Sequence, residues 1–332
     1  MLTLLILAAI FQVVSGETAH VVEIASIPTT PICLHSMIVH DGELLQSTGG
    51  HGGGALTKVS LKGVEEANDD RYTGSFKLDN IYEPEGVAYR RDTDVLYLLT
   101  KRERVLEFLD ADDGLELRDD DDRESITPLQ ALVGLTFAGN KTFVGSDASD
   151  RLYFLDAETF AVQRTVRVAD PAFVNDSMPP PILLLELEWI NDGLLFATVA
   201  NNQTLLAIDP RNGTVLHWLD VTHLAPASCE PTVCVCDSYP LVHAVAFDSV
   251  WQRLFIGGMY WPRVVEVQVI GSNGKPLWVT RSAANDGASD AIDDDTMLTV
   301  EFVAAALLCL AAIGITTYVS HTAQKRAFMV GK

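Results

Sequence analysis

The chain repeats itself five times, and no other feature constrains its fold as tightly. Each copy opens on an alternating apolar segment, passes a polar turn, and returns on a second segment that ends in small residues. The openings lie at residues 35–39, 85–89, 133–137, 185–189 and 243–247. Matched positions in the returning segments are Ser47, Leu99, Gly145, Ala197 and Gly257, spaced 52, 46, 52 and 60 residues apart. A third apolar segment follows, clearest at 152–156 and 205–209, where the two copies are close. A fourth, at 162–166 and 214–218, alternates as an edge strand does. Four short antiparallel strands at such a period make a propeller blade. Between residues 17 and 296 no window of helical length carries a helical period. Residues 17–281 therefore read as an all-β, five-bladed β-propeller.

The two ends read differently. An apolar run from Leu2 to Val14, followed by Val14-Ser15-Gly16, reads as a secretory signal peptide over residues 1–16. Residues 282–296 are rich in Asp, Ala and Ser and read as an acidic stalk. Residues 297–319 end in an 18-residue uncharged stretch, Phe302 to Val319, enough for one transmembrane helix. Residues 320–332 hold Lys325, Arg326 and Lys332, which suits a cytoplasmic tail. The expected protein is thus a type I, single-pass membrane protein of the secretory pathway, its propeller luminal or extracellular.

Charge and compartment agree with that plan. Lys plus Arg number 23 against 45 Asp plus Glu, a net charge of -22. A field of that sign repels phosphate backbones and argues against nucleic acid as a partner. Asn140, Asn175, Asn202 and Asn212 each begin a glycosylation acceptor. In an oxidising compartment Cys33, Cys229, Cys234 and Cys236 can pair in three ways, with Cys309 left in the membrane span; free structural thiols are the alternative.

In a propeller the first strand of every blade lines the axis. The repeat alignment therefore brings His35, Glu85, Val133, Leu185 and His243 to one ring. The second strands end on the same face and add His51, Lys101, Asn201 and the segment Met259-Tyr260-Trp261-Pro262. A concave mouth with few polar groups is where a small substrate sits. Glu85 lies beside Val133 and Leu185, a carboxylate among apolar walls, which is a setting for a general acid or base; a solvated Glu at a turn is the plainer reading. His35, Glu85 and His243 could in principle hold a metal, but no ligands stand at close sequence spacing, and none is expected.

Several segments together are similar to one family. They are Gln46-Ser47-Thr48-Gly49, Pro84-Glu85-Gly86-Val87, Gly145-Ser146-Asp147, Glu186-Leu187-Glu188-Trp189-Ile190-Asn191, and Arg253 to Gly258 with Trp261-Pro262. Their order and spacing resemble the plant-type glutaminyl-peptide cyclotransferases, or glutaminyl cyclases, from about Cys33 to Val269. The resemblance implies a five-bladed propeller that converts N-terminal Gln of peptides or proteins into pyroglutamate with loss of ammonia, and without a metal or other cofactor. It implies that Glu85 shuttles the proton. It also shows how the mouth departs from the family. The family's Gln falls on His35, its tryptophans on Lys101, Val133 and Ala200, its asparagines on Leu185 and His243, and its Lys on Met259. Two readings follow. Either Lys101, His35 and His243 replace the lost donors, making Glu85 and Lys101 catalytic and His35, His51, Val133, Leu185, His243, Met259 and Trp261 substrate-binding, or the propeller is an inactive binder of a peptide or protein partner.

Overall fold

The computed structural model describes residues 19–29, 33–49, 54–61, 72–79, 82–101, 104–111, 114–117, 132–173, 182–190, 194–226 and 241–279. The expected signal peptide, stalk, transmembrane helix and tail, together with His51, Asn175, Cys229, Cys234 and Cys236, lie outside them. Among the described residues no helix is long and apolar enough to cross a membrane.

Among the described residues, twenty strands form five antiparallel sheets of four. The chain opens with β1 (His20–Pro28). The first blade is β2 (Leu34–His40), β3 (Glu43–Thr48), β4 (Ala55–Ser60) and β5 (Tyr72–Lys77). The second is β6 (Pro84–Arg90), β7 (Val95–Thr100), β8 (Arg104–Ala111) and β9 (Gly114–Leu117). The third is β10 (Gly134–Gly139), β11 (Thr142–Ser146), β12 (Arg151–Asp156) and β13 (Val162–Arg167). The fourth is β14 (Leu184–Trp189), β15 (Leu195–Val199), β16 (Thr204–Asp209) and β17 (Thr214–Asp220). The fifth is β18 (Val242–Asp248), β19 (Arg253–Gly258) and β20 (Arg263–Ile270), closed by β1 in the order β1-β20-β19-β18.

The five repeat positions Ser47, Leu99, Gly145, Ala197 and Gly257 all fall on the second strand of a blade. Burial follows the blade from axis to rim. β7 and β15 are buried along their whole length, since sheets cover both their faces. β13 is exposed at all but one position, and Arg164 and Arg167 charge this outer edge, which discourages pairing with another chain. The turn between β10 and β11 places Asn140 and Lys141 both at positive φ, 47° and 56°. Consecutive residues in that region make a tight hairpin whose twist matches its strands.

The apolar residues gather into five clusters, one at each seam. Leu45 and Leu56 of the first blade meet Val87 and Leu98 of the second. Tyr97 meets Phe143 and Phe160. Val144 and Phe154 meet Leu187 and Leu206. Phe196 meets Val245 and Ile256. The last seam joins Phe255 and Val264 to Met37 and Leu44, which closes the ring. Burying apolar surface at about 25 cal/mol per Å² makes these seams the main source of cohesion.

Candidate active site at the mouth of the ring

At the mouth, four of the five blades hold the backbone of the next. Ser47 Oγ donates to the Glu85 carbonyl at 2.6 Å, and Thr198 Oγ1 to the His243 carbonyl at 3.0 Å. Ser146 Oγ donates to the Leu185 carbonyl. His243 Nδ1 lies 2.7 Å from the His35 carbonyl. Four of the five aligned positions are thus tied at their carbonyls to the preceding blade.

Bulges aim these residues. Pairing slips between Leu34 and Ser36, Pro84 and Val87, Leu184 and Leu187, and Val242 and Ala244. Each slip falls at the ring position. A bulge bends the strand and redirects the side chains at it.

Glu85 is the centre of the arrangement. Its side chain is 7% exposed, and each carboxylate oxygen faces a cation. Oε2 lies 3.5 Å from His35 Nδ1, an ion-pair contact longer than a good hydrogen bond. Oε1 lies 3.7 Å from Lys101 Nζ, which also meets Glu83 Oε2 at 3.0 Å. Burial disfavours the His35 imidazolium, but contacts with Cys33 and Glu85 outweigh it and raise its pKa to about 9. Burial likewise works against the Lys101 ammonium, and Glu83 and Glu85 overcome it to push its pKa up.

His243 behaves in the opposite way. Burial and the neighbouring His35 charge lower its pKa to about 4, so it is neutral at physiological pH. The two rings meet edge to face, with centroids 5.5 Å apart. A carbonyl only accepts, so Nδ1 of His243 carries the hydrogen and Nε2 remains an acceptor. Of the two states the sequence left open for Cys33, the structure has the free thiol, 3.1 Å from the Tyr260 hydroxyl; the other three ectodomain cysteines lie outside the described residues. The contact with His35 pulls the Cys33 pKa down, against burial, with Tyr260 and the Lys101 charge adding to the fall.

Val133, Leu185 and Met259 are half-buried at the ring and contribute apolar wall. Trp261 does not belong with them. It is 2% exposed and packs with Val242, Val245 and Val265 in the seam between the fourth and fifth blades. Tyr260 before it takes φ 59°, and the chain reverses there. Its indole lies against Gly258, where a Cβ would meet Nε1 at 2.3 Å. Among the described residues, no three His, Cys, Asp or Glu side chains converge as a metal site.

The profile of the glutamine cyclotransferase family matches residues 20–269, the whole ring from β1 to β20. The chain belongs to this family. A glutaminyl-peptide cyclotransferase of Arabidopsis thaliana is 26% identical over 266 residues, covering 76% of this chain and 72% of that one. The crystal structure of Myxococcus xanthus glutaminyl cyclase aligns with a TM-score of 0.61 at 23% identity, over 77% of this chain and 99% of that one. The second likeness bears on the fold alone.

The repeat alignment did not mark every polar residue at the cyclotransferase mouth or on the axis beneath it. Glu83 and Cys33 each stand two residues before a ring position, Glu85 and His35. In an extended strand, residues two apart share a face. Cys33-x-His35 and Glu83-x-Glu85 were therefore available as signals. Ser36 and Glu186 stand one residue after ring positions, and only the bulges bring them to the axis.

Proposed function

We propose that this propeller is a glutaminyl-peptide cyclotransferase in which Glu85 carries the proton. Its substrates are peptides or proteins that begin with Gln, and its products are the pyroglutamyl chain and ammonia. The observation that carries the reading is the shielded Glu85 carboxylate with a cation at each oxygen, His35 at 3.5 Å and Lys101 at 3.7 Å.

The chemistry needs such a group. The substrate's α-amine attacks its own γ-carbonyl carbon, forming the ring C–N bond. The C–N bond to the amide nitrogen then breaks. A proton must leave the α-nitrogen and reach the departing nitrogen. Glu85 accepts it and returns it, a contribution of about 10² to 10⁴ in rate. The carbonyl oxygen gains negative charge on attack. His35 and Lys101 stand as positive donors for it, replacing the side chains that the family carries at the mouth. Val133, Leu185 and Met259 give an apolar wall that holds the folded Gln side chain near its attack geometry.

The purified protein, incubated with a Gln-initiated peptide, is expected to release ammonia and shorten the peptide mass accordingly. Glu85→Gln keeps the shape but cannot accept and return a proton, so turnover should vanish at an unchanged melting temperature. Activity of Glu85→Gln within threefold of wild type would remove it from the mechanism. A wild type without turnover would leave a peptide-binding propeller instead.

We also infer a luminal or extracellular setting, anchored through residues 297–319. The exposure of Asn140, Asn202 and Asn212 supports it. Glycosidase treatment of protein made in secretory cells should lower its mass; an unchanged mass would count against this placement.

A further inference from the structure

We propose that Glu186 is a positioning residue that keeps a proton on the propeller axis, one residue inward of the mouth, and through it controls the proton traffic of Glu85. The inference rests on the cyclotransferase reading and extends it to a residue outside the mouth.

The geometry comes first. Glu186 follows the ring residue Leu185, and the bulge between Leu184 and Leu187 sets both of them opposite Thr198. Its Oε1 accepts a hydrogen bond from Ser36 Oγ at 2.8 Å. Ser36 belongs to the first blade and Glu186 to the fourth. These blades are not neighbours in a ring of five, so the bond spans the axis. Ser36 is itself fixed, because its Oγ accepts from the Val87 amide at 2.9 Å. The matched residues of the other blades are Gly86, Gly134 and Ala244, which leave room for one long side chain.

Glu186 is 1% exposed, and its Oε2 has no hydrogen-bond partner. Among the described residues no Lys, Arg or His pairs with it. A carboxylate taken from water without a cation is far costlier than the neutral acid. Burial accordingly drives its pKa well above the carboxylate range; the Ser36 hydroxyl opposes the rise, and the nearby Glu188 and Glu85 add to it. The charges that act on it are Glu188 on its own strand and Glu85 on β6, both carboxylates. The His35 imidazolium stands against Cys33 and Glu85.

The consequence lies in the reaction. A Gln-initiated chain enters with an α-ammonium and leaves as a neutral lactam beside an ammonium ion. One proton must therefore leave the α-ammonium before the amine attacks, and a second passes from the attacking nitrogen to the departing one; Glu85 has to be ionised to accept either. While Glu186 keeps its proton, Glu85 has a neutral neighbour and both cations serve it. When Glu186 ionises, its charge and that of Glu85 repel. Turnover should then fall on the alkaline side.

The test compares wild type with Glu186→Gln. The amide mimics the neutral acid and keeps the acceptor for Ser36. We expect near wild-type kcat at neutral pH. The alkaline limb of kcat/KM should move up by about half a pH unit or more. Melting temperature gives a readout independent of activity. A carboxyl whose folded pKa is raised stabilises the protein below its ordinary range and loses that contribution as pH rises. The decline of melting temperature with rising pH should therefore be shallower in Glu186→Gln. Should that variant not fold, Ser36→Ala serves: it removes the hydroxyl that favours the ionised form, and should move the limb the same way by less. Superimposable pH profiles and melting curves would overturn the proposal. A shallower melting decline in a protein without turnover on Gln-initiated peptides would also overturn it. That result would leave Glu186 a structural acid and place the failure in the cyclotransferase reading.

Discussion

Glu85 is held from two sides, and the two holders differ in a way that mutation can separate. His35 is shielded, whereas the Lys101 side chain is 55% exposed and shared with Glu83. An exposed ion pair adds little to stability, typically under about 1 kcal/mol. Lys101→Met should therefore leave the melting temperature nearly unchanged. If Lys101 serves the developing oxyanion, turnover should fall about tenfold to a hundredfold, and Lys101→Arg should restore part of it. Wild-type turnover in Lys101→Met would return the residue to an ordinary turn. His35 makes a prediction about stability. Its folded pKa of about 9 lies above its ordinary value, so its contribution is complete below about pH 6.5 and is lost as pH rises through 9. His243, lowered to about 4, contributes above about pH 6.5 and loses that contribution as pH falls towards 4. Thermal melts of wild type and His35→Gln should diverge least near pH 9 and most near pH 6. The ring position of Glu85 was legible because the repeat fixed which residue starts each inner strand. Glu83 lies before the repeated segment, so the repeat alone did not mark it; only its two-residue spacing from Glu85 pointed to a shared face.

Strands explain what the period could and could not reveal. Alternation of apolar residues marks a strand and its buried face, so all five second strands were readable. A bulge adds a residue without changing composition, and four bulges at matched positions left no trace in the alternation. Trp261 shows the reverse error. Its place beside Met259 suggested the mouth, but the left-handed turn at Tyr260 delivers it to the core. The inner strands also approach closely enough to demand small residues. A Cβ on Gly134 would lie 2.1 Å from the Leu185 carbonyl oxygen and 2.7 Å from Ser146 Oγ. The nearest obstacle is backbone, which cannot swing aside. Gly134→Ala should cost about 1–3 kcal/mol or more as β10 is pushed from β14. It should also lower turnover, because the Ser146 bond to Leu185 spans that contact. A denaturation midpoint equal to wild type would mean the seam is looser than its contacts imply.

Closure is a property of the whole ring, and the mouth depends on it. The repeat ran from the first strand of each blade and therefore left residues 17–32 without a place. They hold β1, which pairs with β20 over nearly its full length, from His20 opposite Ile270 to Pro28 opposite Arg263. The first part of the chain thus completes the last blade. Val21 and Ile27 are buried by it, and Arg263 meets Glu23 across it. The Thr29 amide then donates to the Pro262 carbonyl at 2.9 Å, and a few residues later the chain reaches Cys33 and His35. The contacts of Cys33 with Tyr260 and of His35 with His243 lie at this same seam. Losing β1 should therefore do more than shorten a sheet. It exposes the edge of β20, frees the start of the first blade, and lets both imidazoles drift from Glu85. A variant lacking the residues before Thr29 should lose cooperative unfolding and all turnover. Ile27→Ala is the gentler probe. It should cost about 2–5 kcal/mol for a fully buried aliphatic side chain. Its unfolding, followed by tryptophan fluorescence and by residual activity, should give coincident transitions if the ring closes as one unit. Activity lost well before fluorescence would show that β1 detaches alone. A truncated protein that melts as wild type does would show that the ring needs no closing strand.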